Sequence, residues 1–374
     1  MAARVPRSIG VPLAAALVLF GCRPPVEQAP ARPAPMGDAA DAPSARRRVT
    51  VRVDPRVEVF SMLQRVAGLP PYAPTRTTPT PYERRVDAKL ATLAGHPAVA
   101  STQRLAEEHG IGFDGPMCLA VHLSWPGLEP RVPLRPLPPG LDDRWQDVDV
   151  HAYLGEVRAF VAAGDLEGFF AQERAFFDRV EASLDGFVRR YDDDTMDWLE
   201  AYSGTRVDAV VLVQGLLTEK GNYGPSVRLA DGTKEAYEIV VLWKPDEEGM
   251  PRPEQELFVF VVHEAAHSYL NPVFDGYTDL LQPSTERLFE HTRAQMAAVG
   301  YGDWTTLLRE SIVRAATRAY LEHIGADEAA AFAEAHDRQQ GFTWVGDVID
   351  VLDPPLDRED ATRLAEVFDR HTPH

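Results

Sequence analysis

The stretch Leu257–Pro272, which reads LFVFVVHEAAHSYLNP, restricts this chain more than any other. An apolar run from Leu257 to Val262 leads into His263-Glu264-Ala265-Ala266-His267. Asn271-Pro272 is expected to close the segment, because proline lacks an amide hydrogen and pushes its predecessor out of the helical region. Residues four apart in an α-helix are rotated by roughly 400°, so His263 and His267 project from one face, one turn apart. Two imidazole nitrogens at that spacing can bind one zinc ion. Glu264 stands about 100° round from His263, beside such an ion, placed to take a proton from a water that the ion acidifies and to hand it to a leaving group. A chance HExxH is expected about once in a hundred chains of this length, which would leave only a buried histidine pair. The apolar, helix-length context weighs against that reading, since helical registration is what ligand geometry requires.

A catalytic zinc usually has three protein ligands and one open position, so a third ligand must come from elsewhere. Asp275 to Asp279 offers no histidine at the metzincin offset. Glu310 is the first candidate. It lies in Thr305–Tyr320, an amphipathic helical stretch whose stripe includes Leu307, Leu308, Ile312 and Val313, and a glutamate flanked by core positions points inward more often than a solvated one. Glu286, Glu290, Glu322, His291 and His323 compete with it.

The pair His263-Glu264-x-x-His267 with a glutamate on a later helix resembles the gluzincin class of zinc metallopeptidases. More narrowly, His263 to Pro272 together with Glu310-Ser-Ile-Val-Arg314-Ala315 is similar to an uncharacterised bacterial group catalogued as a domain of unknown function. Val53 to Ser61 and Leu69-Pro-Pro-Tyr72 are similar to the start of that domain, so the resemblance spans about residues 50 to 353. It implies the ligands His263, His267 and Glu310, Glu264 as general base, and peptide-bond hydrolysis. Familiar gluzincins often carry Asn four residues before the glutamate ligand and Asp four after it. Thr306 and Arg314 stand there in this chain, so the groups that orient the ligands must be built differently.

The first residues read as an address. Arg4 and Arg7 precede an apolar run, Val11 to Phe20, which is too short for a lasting membrane span but suits a secretory signal. Leu19-Phe20-Gly21-Cys22 resembles a bacterial lipobox. The resemblance implies a signal peptide over 1–21, cleavage before Cys22, and lipidation of Cys22 that anchors the chain to a membrane without a spanning helix. The alternative is a plain signal peptide. Either reading exports the protein to the cell envelope, lipid-anchored in the first case and facing the periplasm or the surface. Residues 22–48 are crowded with Pro, Ala and Gly and are expected to form a disordered tether ending at Arg46-Arg-Arg48. With Cys22 acylated, Cys118 is alone and no internal disulfide can form. Cys118 sits in an apolar run, where a small inert hydrophobe is expected rather than a nucleophile.

The formal charge is −19, and −21 once residues 1–21, with Arg4 and Arg7 but no acid, are gone. That balance argues against nucleic acid as a partner, because phosphate neutralisation needs a positive face. Hydrophobic residues make up 45%, so residues 49–374 can build a core, with lobes expected over about 49–272 and 273–374. Val49 to Phe60 and Met117 to Ser124 read as strands, and Pro126 to Gly140 as a surface connection. Helices are expected over 82–93, 98–109, 151–163 and 166–191. Val207 to Leu217 and Tyr237 to Trp243 read as strands flanking Lys220-Gly-Asn-Tyr-Gly224. Zincins hold an extended peptide on an edge strand upstream of HExxH; by that resemblance Asn222, Tyr223 and Gly224 border the cleft, against the alternative of an ordinary turn. Helices then follow over 284–298, 304–324, 326–340, 344–352 and 359–371.

The expected fold is α+β and zincin-like, with a mixed sheet and helices first, a helical C-terminal lobe, and the site between them. The expected function is a zinc-dependent hydrolase, a metallopeptidase acting on a peptide or protein substrate. The alternative is a non-catalytic, zinc-stabilised peptide-binding or envelope lipoprotein. Glu264 favours the enzyme, because a structural zinc would use four ligands and need no base. An electrophile for the oxyanion is expected from the C-terminal part, where Tyr301, Tyr320 and His323 are candidates; Arg314 would fix the ligand or bind a substrate carboxylate.

Overall fold

The computed structural model describes residues 48–74, 76–188, 192–218, 221–242, 244–252 and 255–372. The expected signal peptide, Cys22 with its expected lipidation, nearly all of the expected tether, and Lys220 lie outside them.

Asp54-Pro55 decides the first turn of the chain. Strand β1 spans only Val49–Arg52. The Asp54 carboxylate then accepts the Arg56 amide at 3.0 Å and Pro55 occupies the first helical turn, which starts α1 (Pro55–Val66). The strand expected to reach Phe60 is therefore mostly helix. After it come α2 (Pro81–Leu90), α3 (Pro97–His109) and α4 (Gly115–Val121). Met117 to Ser124, expected as a strand, is helical through Val121, because a short continuous apolar run suits a buried helix as well as a buried strand. The proline-rich connection that follows is not merely superficial, since Leu128, Val132 and Leu134 are buried. Next are α5 (Val150–Ala163), α6 (Leu166–Val188), α7 (Asp192–Ser203), β2 (Ala209–Gln214), β3 (Ser226–Arg228) and β4 (Lys234–Val240). The C-terminal part holds α8 (Gln255–Asp275), α9 (Thr278–Ala298), α10 (Trp304–His323), α11 (Asp327–Gln340), α12 (Val345–Val351) and α13 (Arg358–Arg370).

The protein is α+β. Its mixed sheet has the order β1-β2-β4-β3, with β1, β2 and β4 parallel and β3 antiparallel at one edge. Tyr223 extends that edge by pairing with Ile239. Helix α8 packs on β4 and is apolar on most sides: Leu257, Phe258, Val259, Val262, Ala266, Tyr269 and Leu270 are all buried. Helices α7, α10 and α11 pack around it. A helix so enclosed is stabilised by its burial, at about 1.5–3 kcal/mol for each large apolar side chain. Arg47–His374 forms one compact unit. No helix among the described residues is long and apolar enough to cross a membrane.

Pro272 does not end α8, contrary to the sequence expectation; the helix runs on to Asp275. A proline inside a helix orphans the carbonyl four residues earlier, which here belongs to Ser268. The Lys234 ammonium, reaching across from β4, donates to the Ser268 carbonyl and so replaces the missing bond.

Candidate metal centre

Local helical geometry sets two of the three donors. His263 and His267 stand one turn apart on α8 with ring centroids 5.0 Å apart, edge to face. Helix α10 packs alongside α8 and brings in Glu310, whose neighbours Leu307, Leu308, Ile312 and Val313 are buried. Glu310 Oε2 lies 3.5 Å from His263 Nε2, and Oε1 lies 3.4 Å from His267 Nε2. One ligand atom from each of the three residues falls within 4.8 Å of the others. Ligands at about 2.05 Å around a tetrahedral zinc are separated by roughly 3.3–3.4 Å, which is close to the distance from each imidazole to its nearer Glu310 oxygen.

Electrostatics prepares the same set. Burial pushes the His263 imidazole down to about 4, with Glu310 pulling the other way, so His263 is neutral and able to donate a lone pair. Burial acts against the Glu310 anion, but His263, His267 and Arg314 outweigh it and hold the carboxyl well below its usual range. Burial likewise acts to lower His267, but Glu310, Glu264 and Asn271 together outweigh it and raise the imidazole above its usual value. His267 Nδ1 faces Asn271 Oδ1 at a long 3.4 Å, which favours the proton on Nδ1 and leaves Nε2 for a metal. Glu264 is 8% exposed, and burial raises it to about 7, with His267 pulling it down.

Arg314 supplies the outer support. At 5% exposure, it donates to Glu310 Oε2 at 3.1 Å, the Tyr301 hydroxyl at 3.1 Å, Asp337 Oδ1 at 2.8 Å and Gln340 Oε1 at 2.8 Å, with its guanidinium 4.3 Å from the Phe342 ring centroid. Tyr301 donates its own hydroxyl to Glu310 Oε2 at 2.9 Å. Of the two roles considered for Arg314, fixing the ligand is the one its contacts describe. Thr306 has no part in this, because its amide and hydroxyl are spent on Asp303 at the start of α10.

The remaining candidates fall elsewhere. Tyr320 is buried about 15 Å along α10 from Glu310, hydrogen-bonded to Thr195 and packed on Trp198. His323 is exposed and stands beside Trp198. Glu290 pairs with Arg293, Glu286 accepts from Gln282, and Glu322 and His291 are exposed. Tyr223 is buried with its hydroxyl bonded to that of Tyr72. Its backbone, however, leads to Gly224, where an added Cβ would stand 2.9 Å from the Glu264 carbonyl and 3.5 Å from Glu264 Oε2. The edge of the sheet therefore reaches the candidate base.

Sequence reasoning missed Asn271, Asp337, Gln340 and Phe342. Asn271 was findable, being four residues past His267 on the same face; the other three come from α11 and the turn after it, with no local signal tying them to Glu310. A second donor group, Asp114, Cys118 and Asp142, is spanned by Arg144, which donates to Asp114 Oδ1 at 2.6 Å and Asp142 Oδ2 at 2.7 Å. Burial pushes the Cys118 thiol up, in keeping with an inert cysteine.

Fold and site together define an α+β protein with a His-His-Glu cluster of possible metal donors, the glutamate buried and the histidines partly so, and a separate carboxyl beside it. The chain belongs to the family described as domain of unknown function DUF4932, whose model matches residues 83–361 and so takes in all four of those residues. The match starts within α2, after the Val53–Ser61 and Leu69–Tyr72 stretches on which the resemblance had placed its beginning. No curated protein and no solved structure matches the chain.

Proposed function

We propose that this protein is a zinc-dependent hydrolase of the gluzincin type, cleaving peptide bonds. The observation that carries the reading is the approach of Glu310 to within 3.5 and 3.4 Å of the two imidazole nitrogens, with Glu264 left outside the donor set. A structural zinc would use a fourth protein ligand; a hydrolase keeps a position open and needs a base beside it.

When bound, zinc supplies Lewis-acid polarisation of a carbonyl and lowers the pKa of water. His263, His267 and Glu310 hold the ion, and Arg314 and Tyr301 keep the Glu310 carboxylate aimed at it. Glu264, buried beside the donor set, takes the proton of the attacking water and returns it to the departing amine. A peptide pairing with the backbone at Gly224, ahead of β3, would gain hydrogen bonds next to Glu264. The signal-like N-terminus and Cys22 extend the proposal to a lipid-anchored protein of the bacterial cell envelope.

The test is metal content of residues 49–374 by elemental analysis, beside His263→Ala, Glu310→Gln and Glu264→Gln. One zinc per chain, weakened by the first two changes and kept by the third, supports the assignment, and loss of peptide hydrolysis in Glu264→Gln completes it. A wild type that takes up no zinc after incubation with the metal rejects it. A protein that holds zinc but cleaves nothing is the zinc-stabilised binding protein instead.

A further inference from the structure

Lys234 is buried at 7% exposure, and no carboxylate among the described residues lies within ion-pair distance of its ammonium. Burial, joined by the charge of Arg228, brings its pKa down to about 8. A lysine set this way at the start of an interior strand weakens the fold unless its ammonium serves a need that an apolar side chain could not. Its backbone is pinned. The Lys234 amide donates to Asp208 Oδ2 at 3.0 Å, and its carbonyl accepts the Asp208 amide at 3.0 Å. The side chain thus starts from a fixed base, and its hydrogen-bond acceptor is the Ser268 carbonyl of α8.

That carbonyl is the one Pro272 leaves without an amide, and Asn271 is caught between two demands. A residue before proline is pushed out of the helical region. Only helical geometry, however, stacks Asn271 one turn beyond His267, where its Oδ1 faces His267 Nδ1 at 3.4 Å. Helix α8 keeps that geometry, running through Asn271 and Pro272 to Asp275. Ser268 is itself buried, so its carbonyl would have no water to turn to. By supplying a donor there, Lys234 favours the continuous helix over a break at Asn271.

We propose that Lys234 is a positioning residue for the candidate metal centre: by holding α8 unbroken through Pro272, it keeps Asn271 on His267 and so decides which ring nitrogen His267 offers. The inference rests on the zinc-site reading. With Asn271 Oδ1 accepting from Nδ1, the lone pair stays on Nε2, the nitrogen 3.4 Å from Glu310 Oε1. Strand β4 thereby acts on the metal through two intermediaries, without touching a ligand side chain.

The experiment measures zinc affinity of the full-length protein by competition with a chromophoric chelator, for Lys234→Met, Asn271→Ala and Pro272→Ala alone and in pairs. Lys234→Met and Asn271→Ala are each expected to weaken zinc binding about tenfold. Their combination should be no worse than Asn271→Ala alone, because both remove the same contact to His267. Pro272→Ala restores the amide that Ser268 lacks, so it should bind zinc as the wild type does, and adding Lys234→Met to it should change nothing. Losses that multiply in the Lys234→Met, Asn271→Ala pair overturn the inference, as does an equal loss from Lys234→Met with and without Pro272. Unchanged or tighter zinc binding in Lys234→Met also overturns it, since that would mark a lysine serving only the fold or only adding positive charge near the ion. If Lys234→Met alone does not fold, the Pro272→Ala background decides: a pair that is folded and binds like Pro272→Ala supports the inference, and one that is unfolded or weak overturns it. A wild type that takes up no zinc rejects the zinc-site reading, and the inference falls with it.

Discussion

Replacing Arg314 by methionine isolates what holds Glu310, the proposed third ligand. The change keeps a side chain of similar length and removes a guanidinium that is 5% exposed and bonded to Glu310, Tyr301, Asp337 and Gln340. Asp337 suffers most. It is buried, its Oδ2 has no partner among the described residues, and its Oδ1 would lose the donor at 2.8 Å. Breaking one side of a buried ion pair costs about 3–5 kcal/mol, a large share of a total folding stability of about 5–15 kcal/mol. Zinc binding should weaken less drastically, about 10–100-fold, because Tyr301 still donates to Glu310 at 2.9 Å. Arg314→Met with Asp337→Leu leaves no orphaned Asp337 carboxylate and should recover roughly 1–3 kcal/mol of the loss. Urea unfolding of the zinc-free proteins and competition for zinc against a chromophoric chelator measure both quantities. An unchanged midpoint and unchanged zinc affinity in the single variant, or a double variant no more stable than the single, would refute the argument.

Gly224→Ala should lose roughly 1–3 kcal/mol and most of its turnover, because the new Cβ would meet the Glu264 carbonyl at 2.9 Å; unfolding and peptide hydrolysis read the two effects. Glu58 is buried, accepting from Leu216 N at 2.9 Å and the Tyr82 hydroxyl at 2.8 Å, and burial raises it from 4.5 to about 7. The folded state thus binds this proton more tightly than the unfolded state. Its contribution is full below about pH 4.5 and declines by about 3 kcal/mol as pH rises to 7. Glu58→Gln should flatten that part of the stability profile in urea titrations at pH 5 and 8; an identical slope in both proteins rules the assignment out. Zinc at a thousandfold excess over its dissociation constant should stabilise the fold by about 4 kcal/mol, seen as a higher Tm that a chelator reverses and His263→Ala lacks.

The parts of the site that sequence made legible are those that helical periodicity dictates. Two histidines four apart share a face in any α-helix, and Glu310 could be picked from its competitors by its place among Leu307, Leu308, Ile312 and Val313. Arg314 was legible as a neighbour of Glu310 that could fix the ligand or bind a substrate carboxylate, but the choice between the two was not, because Asp337 and Gln340 reach it from another helix. Elements were misread where two local signals compete. Val49 to Val53 alternates like a strand, and the pattern hid the Asp54-Pro55 helix start. Pro272 carried the ordinary meaning of a stop until Lys234, on β4, satisfied the carbonyl it orphans. Tyr320 looked equivalent to Tyr301 along the chain, yet about three turns of helix separate it from Glu310, whereas Tyr301 folds back onto the carboxylate.

The parallel pairing of β1 with β2 fixes an order of assembly. Val49 lies beside Val210, and every element from α1 to α7 intervenes. During synthesis β1 emerges first and waits for its neighbour, an exposed strand edge of the kind that invites wrong partners. The delay itself adds little thermodynamically, since each doubling of a closed loop costs only about 0.6 kcal/mol, but non-local closure slows folding. Arg48 marks where the clasp fastens, its guanidinium reaching Asp197 and Glu200 on α7 just ahead of β2. The strand made earliest is seated only after more than half the chain exists.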